Sequence, residues 1–319
     1  VLASIPAPPF NAIGPFRLYG LLIALGVLAA VWLGQRRFAA RGGDPEEISN
    51  LALIAVPAGL VGARLYHVIT DYQRLYCGPP KCEKSLWPDA LQLWNGGLGI
   101  PGAIIGGFLA GYLYARAKKW DIPTLMDVAA PCLPLAQAIG RWGNYFNQEL
   151  FGRPTDLPWG LQVDPPFRPL DASGAPKFGN AETFHPTFLY ESLWNIGVVV
   201  VLLAVDRKRR LRDGKLFPLY LGLYFLGRMW VEELRVDEAA QVGSLRWNFV
   251  LSIVMVVLAT IWFLWGGVLR PDGGLRPEPI GPRDAPGSEA GENSVAEEGP
   301  DLEGPGAEVA SAEADTRDP

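Results

Sequence analysis

Residues 18–35 read LYGLLIALGVLAAVWLGQ, a run without a single charge. As a helix it rises about 27 Å at ~1.5 Å per residue, close to the ~30 Å hydrocarbon thickness of a bilayer. Arg36, Arg37 and Arg41 follow it. A secretory signal would end in a small-residue cleavage pattern instead, so the block reads as a retained membrane span. Working outward, 90–115 and 247–269 are also free of charge, and four shorter apolar stretches between them carry one or two charges each. The expected fold is an all-α polytopic membrane protein with seven transmembrane helices. They are placed at 17–35, 48–68, 96–116, 123–142, 187–205, 216–234 and 247–269.

Basic residues follow the odd-numbered helices: Arg36, Arg37 and Arg41 after the first, Arg116, Lys118 and Lys119 after the third, and Arg207, Lys208, Arg209, Arg210 and Arg212 after the fifth. Lys and Arg stay on the cytoplasmic side of short loops. The N-terminus is therefore expected outside and the C-terminus in the cytoplasm. The longer loops, 69–95 and 143–186, then face outward, and the second, rich in Pro, Gly, Asp and Trp, is expected to form a small extracytoplasmic cap.

Charge is distributed unevenly. The chain of 319 residues is 49% hydrophobic and 19% charged, with a net charge of −5. Residues 270–319 hold 13 acids and 4 bases, leaving 1–269 at +4 with 44 charged side chains. That is about 16%, against about 25% in ordinary soluble domains, too little to cover a water-soluble globule. No basic patch supports nucleic-acid binding. The expected division is a catalytic domain at 1–269 and an acidic cytoplasmic tail at 270–319, disordered because it has almost no large apolar residues to bury.

Polar groups inside the apolar spans are the informative ones: Arg64, Asp127, Arg141, Glu191, Arg228 and Glu232. An ionised side chain at mid-membrane costs about 2.5–3.5 kcal/mol on insertion scales, so it pairs or faces a polar cavity; the alternative is snorkelling at the interface. Arg228 and Glu232, four apart, share a helix face and can pair. The densest run, Gly140–Arg153, reads GRWGNYFNQELFGR and falls where the fourth helix meets the outer interface. Its glycines permit close backbone approach, Arg141 offers a planar fork suited to phosphate, and Asn144, Asn147 and Glu149 add groups that no lipid-facing surface would present. A second run, Trp94–Gly107, combines an irregular stretch around Pro101 with small residues spaced for close helix packing. A third, Phe184–Glu191, brings His185 to the start of the fifth helix. His67 is read as packing at the interface.

Three cysteines are present. Cys77 and Cys82 fall in an outer loop, where a disulfide would be permitted, and Cys132 reads as a small core hydrophobe. With two histidines and no clustered thiols, no metal site is expected.

Gly140–Gly152 resembles the signature of the bacterial prolipoprotein diacylglyceryl transferases, with Tyr145 at a usual Phe position. The resemblance extends over 10–268 and includes Arg17-Leu18-Tyr19-Gly20, Gly62-Ala63-Arg64, the Gly-Gly-Leu loop, His185-Pro186 with Tyr190-Glu191, and Arg228 with Glu232. It implies a seven-helix enzyme of the bacterial plasma membrane with an outward-facing site. The implied reaction moves diacylglyceryl from phosphatidylglycerol to the lipobox cysteine of a prolipoprotein signal peptide, releasing glycerol 1-phosphate, without cofactor or metal. One departure stands out: where the family often has a His-Gly-Gly-Leu sequence, this chain reads Ile100-Pro101-Gly102-Ala103, and proline accepts no proton.

The chemistry needs a thiolate and a way to hold the leaving phosphate. Arg141 and Arg228 are the candidate phosphate clamp, and Arg64 is either a helper or structural. His185, then Glu149, then Glu232 or Tyr19 are candidate bases. Asn144 and Asn147 would orient the headgroup, with Gly97, Gly152 and Glu232 as further substrate contacts. Two rival classes share some of these features: a secondary transporter of a small anion, and a membrane thiol oxidoreductase built on Cys77 and Cys82.

Overall fold

The computed structural model describes residues 4–76, 87, 89–92, 97–170, 174–179, 181–208, 211–237, 241–243 and 245–269. All belong to one compact unit, 1–282; a second unit, 283–319, lies outside the described residues, as do Cys77, Cys82, Trp94, Asn95, Gly96 and the whole tail.

Among the described residues there are eight α-helices: α1 (Leu18–Ala39), α2 (Pro45–Thr70), α3 (Ile100–Ala117), α4 (Ile122–Ala129), α5 (Cys132–Phe146), α6 (Thr187–Arg207), α7 (Leu216–Leu234) and α8 (Trp247–Leu264). Two tiny hairpins, β1 (Ala12–Ile13) with β2 (Phe16–Arg17) and β3 (Gln241–Val242) with β4 (Leu245–Arg246), lead into α1 and α8. Five segments are long and apolar enough to cross a bilayer: α1, α2, α4 and α5 taken together, α6 and α8.

Three boundaries differ from the sequence reading. The helix placed at 123–142 is broken at Ala130–Pro131, because Pro131 has no N–H to donate and stands at the start of α5. The helix placed at 96–116 begins only at Ile100. Pro101 therefore sits in the first turn of α3, where its missing donor costs nothing, and the irregular backbone ends at Gly99. The last helix stops at Leu264 rather than 269, where Lys215 donates to the carbonyls of Trp262 and Trp265. Helix starts follow capping rules. Asp44 accepts from Glu46 N ahead of α2, and Asp121 from Thr124 N ahead of α4, each with proline in the first turn.

The helices adjoin in the order α3, α2, α1, α5, α6, α7, α8. Small residues set the α2–α3 contact. A Cβ on Gly106 would lie 2.5 Å from the Ala58 carbonyl oxygen, and one on Gly62 2.3 Å from that of Gly102. In lipid such close approach supplies the association energy that water would otherwise drive. Gly106→Ala should thus lower stability by about 1–3 kcal/mol, a cost typical of overpacking. Gly111→Ala, whose Cβ would make only a 3.6 Å contact with Leu51, should be nearly neutral. Thermal unfolding of the two variants in detergent checks the pair.

Three buried charged side chains hold backbone groups. Asp127 accepts from the backbone N–H groups of Gly214, Leu216 and Phe217, closing the free donors at the start of α7. Arg64 donates to the carbonyls of Ala90, Gly97 and Asp89. It ties α2 to the segment before α3. Arg37, also buried, donates to the carbonyls of Asp127 and Val128 and pairs with Asp206 at 3.0 Å.

The segment between α5 and α6 has its own apolar cluster of Phe151, Leu161, Val163, Phe184 and Phe188. Short bridges pin it: Leu161 to Ile5 and Phe184, and Gly152 to Arg235 at the end of α7.

Candidate functional site: an alternating arginine–carboxylate chain

Helix ends bring the polar groups together. Arg141 stands five residues before the end of α5 and Arg228 six before the end of α7, while Glu191 is four residues into α6 and Tyr19 one into α1. Arg141 Nη2 lies 3.1 Å and Arg228 Nη1 2.9 Å from the same Glu191 oxygen, Oε1. Arg228 Nη2 then reaches Glu232 Oε2 at 2.6 Å, as the i, i+4 spacing required. Glu232, fully buried, takes Arg246 Nε on its other oxygen at 2.7 Å together with Asn248 Nδ2. Asp237 closes the line, 3.4 Å from Arg246 and held bidentately by Arg235 at 2.7 and 2.8 Å. The sequence of charges is Arg141, Glu191, Arg228, Glu232, Arg246, Asp237, Arg235. It begins and ends on arginine, and Glu149 stands beyond Arg141, linked to it through Asn144.

Buried guanidiniums are stable only when paired. At Glu191 a single carboxylate oxygen serves two arginines. Side-chain exposure there is low: 19% for Arg141, 13% for Arg228 and 8% for Glu191.

The loop after α5 returns hydrogen-bonding groups to the same place. Gln148 and Leu150 both take positive φ, 50° and 59°. Non-glycine residues adopt that conformation at a cost, and it clusters at functional sites. Gln148 is fixed by a reciprocal pair of bonds with Asp164, at 2.7 and 2.8 Å. The turn sets Glu149 Oε1 2.9 Å from Asn144 Nδ2 and 3.2 Å from Asn147 Nδ2, and Asn144 Oδ1 stands 3.4 Å from Arg141 Nη1. Tyr19 packs its ring over Gly143, where a Cβ would come within 2.5 Å of it.

Other predicted site residues lie further out. His185 bonds through its backbone to Gly152 and Arg153, and its Nδ1 lies 3.1 Å from the Tyr190 hydroxyl. Burial moves its imidazole below the usual 6.5. Gly152 leaves no room for a side chain beside His185 and Leu234. Gly97, with φ 71°, lies against His67 and Arg64, and His67 in turn pairs with Asp71 at 3.0 Å. Gly152 meets the arginine chain through its backbone bridge to Arg235, and His185 lies one step further out, bonded to Gly152. Glu191 was singled out in the sequence as a charge inside an apolar helix but not as a site residue; its bridging position depends on three helices meeting. Arg235 was marked in the sequence by its place one turn after Glu232, whereas Asp237 and Arg246 carry no sequence signal beyond their charge.

The sequence profile of the prolipoprotein diacylglyceryl transferases matches residues 9–265, the whole helical part. The chain belongs to the prolipoprotein diacylglyceryl transferase family. Similar proteins include the phosphatidylglycerol–prolipoprotein diacylglyceryl transferase of Corynebacterium efficiens, 46% identical over 274 residues, which are 82% of this chain and 83% of that protein. The Streptomyces griseus enzyme of the same name is 44% identical, over 85% of this chain and 80% of its own. That of Cutibacterium acnes is 48% identical over 262 residues, with 81% and 85% covered. The chain is a bacterial membrane protein and a transferase, and Arg141, Arg228, Asn144 and Glu191 all fall within the matched region.

Proposed function

We propose that this chain transfers the diacylglyceryl group of phosphatidylglycerol to the thiol of a lipobox cysteine, with Arg141 and Arg228 gripping the lipid phosphate. The shared Glu191 oxygen carries the assignment of roles, because it holds two guanidiniums side by side. A phosphodiester brings its own negative charge to the pair, and the two guanidiniums stabilise the further charge that grows on the departing phosphate in the transition state. The thiolate attacks the glycerol carbon of the diacylglyceryl group. A C–S bond forms, the C–O bond to phosphate breaks, and glycerol phosphate leaves with the electron pair.

His185 is our proposed proton acceptor. Its Nδ1 lies 3.1 Å from the Tyr190 hydroxyl; in the tautomer whose Nδ1–H donates to that hydroxyl, Nε2 is the nitrogen that takes the thiol proton, and burial favours the neutral ring. The sign is fixed by that shift. A base with its pKa below 6.5 stays active from neutral pH down to mildly acidic values, and the rate falls only as the ring becomes protonated. The pH–rate profile should show an acid limb with its midpoint under 6.5, and His185→Gln should lose that limb along with a factor of about 10²–10⁴. A limb unchanged in the variant would pass the role to Glu149.

The proposed topology has seven crossings, α4 and α5 together making the fourth, with the N-terminus outside and the 147–186 segment forming an outer cap over the site. Basic residues after α1, α3 and α6 support that orientation. Purified protein, phosphatidylglycerol labelled in its diacylglyceryl part, and a lipobox peptide test the function. Label should move to the peptide in a linkage that resists hydroxylamine, and a Cys→Ser peptide should stay unlabelled. Label that never reaches the peptide would leave the anion-transporter class standing.

A further inference from the structure

Asn195 lies on α6 four residues after Glu191, hence one turn along the same face. It is 2% exposed, and its Oδ1 has no hydrogen-bond partner. Most buried acceptors in folded proteins are satisfied, so an orphan of this kind calls for a reason. Asn195 lines a cavity between α6 and α7 whose other walls include Glu191, Arg228, Tyr224 and Gly227. Gly227 is needed there, since a Cβ would strike the Trp194 indole at 2.2 Å. The cavity's enclosed space is about 10 Å³, room for one water-sized group. It suits the hydroxyl end of a fragment whose remainder stays outside.

Two of its walls are members of the phosphate clamp, so the fragment must be attached to the phosphate. In phosphatidylglycerol there are two such fragments. The diacyl side offers only ester oxygens, which accept, and it carries two long chains. The free glycerol side is small and offers hydroxyl donors. The orphan oxygen is an acceptor, and its residue lies four positions beyond Glu191, a rise of about 6 Å along α6, within reach of a three-carbon arm.

We infer that Asn195 reads a hydroxyl of the glycerol headgroup and so sets the preference for phosphatidylglycerol over other anionic phospholipids. This rests on the transferase reading above and adds a specificity residue to it. A site built to bond a hydroxyl discriminates against an analogue without one far more strongly than an apolar wall does, because the analogue leaves the polar group unpaired.

The test compares phosphatidylglycerol with phosphatidylpropanol, whose headgroup has three carbons and no hydroxyl, in the same vesicles with the same lipobox peptide. Wild-type protein should prefer phosphatidylglycerol by about tenfold or more in kcat/KM. Asn195→Leu should bring that ratio close to one, through loss on phosphatidylglycerol with the rate on phosphatidylpropanol held within a few-fold. Asn195→Ser, which keeps a short polar group, should fall between and serves if the leucine variant does not fold. An equal fall on both lipids, or a ratio unchanged from wild type, overturns the assignment. Wild-type protein that transfers from neither lipid would refute the transferase reading itself, which is a different outcome from a flat ratio.

Discussion

Replacing either Arg141 or Arg228 with lysine is expected to cut diacylglyceryl transfer about 10²–10³-fold, the range seen when one oxyanion-type donor is lost, with the protein still inserted and folded. Lysine keeps the charge. It gives up the planar fork that lets each arginine hold Glu191 with one nitrogen while a second nitrogen faces another partner: Asn144 for Arg141 and Glu232 for Arg228. An ammonium placed at Glu191 Oε1 can still neutralise it, so folding is largely spared. It cannot at the same time present a second, in-plane donor to a phosphate oxygen. Initial rates with purified variants in matched amounts check this, and turnover near wild type in both would reduce the arginines to packing residues.

A larger effect on the protein as a whole is expected at Glu191. In Glu191→Ala, two guanidiniums on α5 and α6's neighbour α7 lose the carboxylate between them and repel across a site that excludes most water. Removing one partner of a buried ion pair costs about 3–5 kcal/mol, because the remaining charge stays buried and unpaired. We expect a lowered unfolding midpoint and transfer reduced below detection. Phosphatidylglycerol should raise that midpoint more in the variant than in the wild type, since its phosphate then occupies the place of the lost carboxylate and binding to the folded state stabilises it. Equal shifts in the two proteins would argue that no anion binds between the arginines.

Much of this was legible from composition alone. The charge-free run at 18–35 marked α1 to within four residues, and 247–269 marked α8, because a bilayer demands long apolar helices and little else mimics them. The pairing of Arg228 with Glu232 followed from spacing on one helix. What crossed between helices was not legible. Nothing in the order of residues says that Arg141 and Arg228 share an oxygen of Glu191, or that Arg246 reaches back from β4 to Glu232. Arg64 and Asp127 looked like the site charges in sequence, since all are ions in apolar spans. The structure separates them by what they face: backbone carbonyls and N–H groups for Arg64 and Asp127, side-chain ions for the others. The split at Ala130–Pro131 was missed because a long apolar pattern outweighed one proline.

The central claim is that Arg141 and Arg228 act as one unit on a single phosphate. A double-mutant cycle tests it most directly: transfer rates of wild type, Arg141→Lys, Arg228→Lys and the double variant, measured on phosphatidylglycerol with one lipobox peptide. Groups that act together lose most of their contribution when either is removed. The double variant is therefore predicted to be about as slow as the slower single variant. Losses that multiply, so that two single defects of about 10²-fold become about 10⁴-fold in the double variant, would contradict the shared clamp and assign each arginine a separate task.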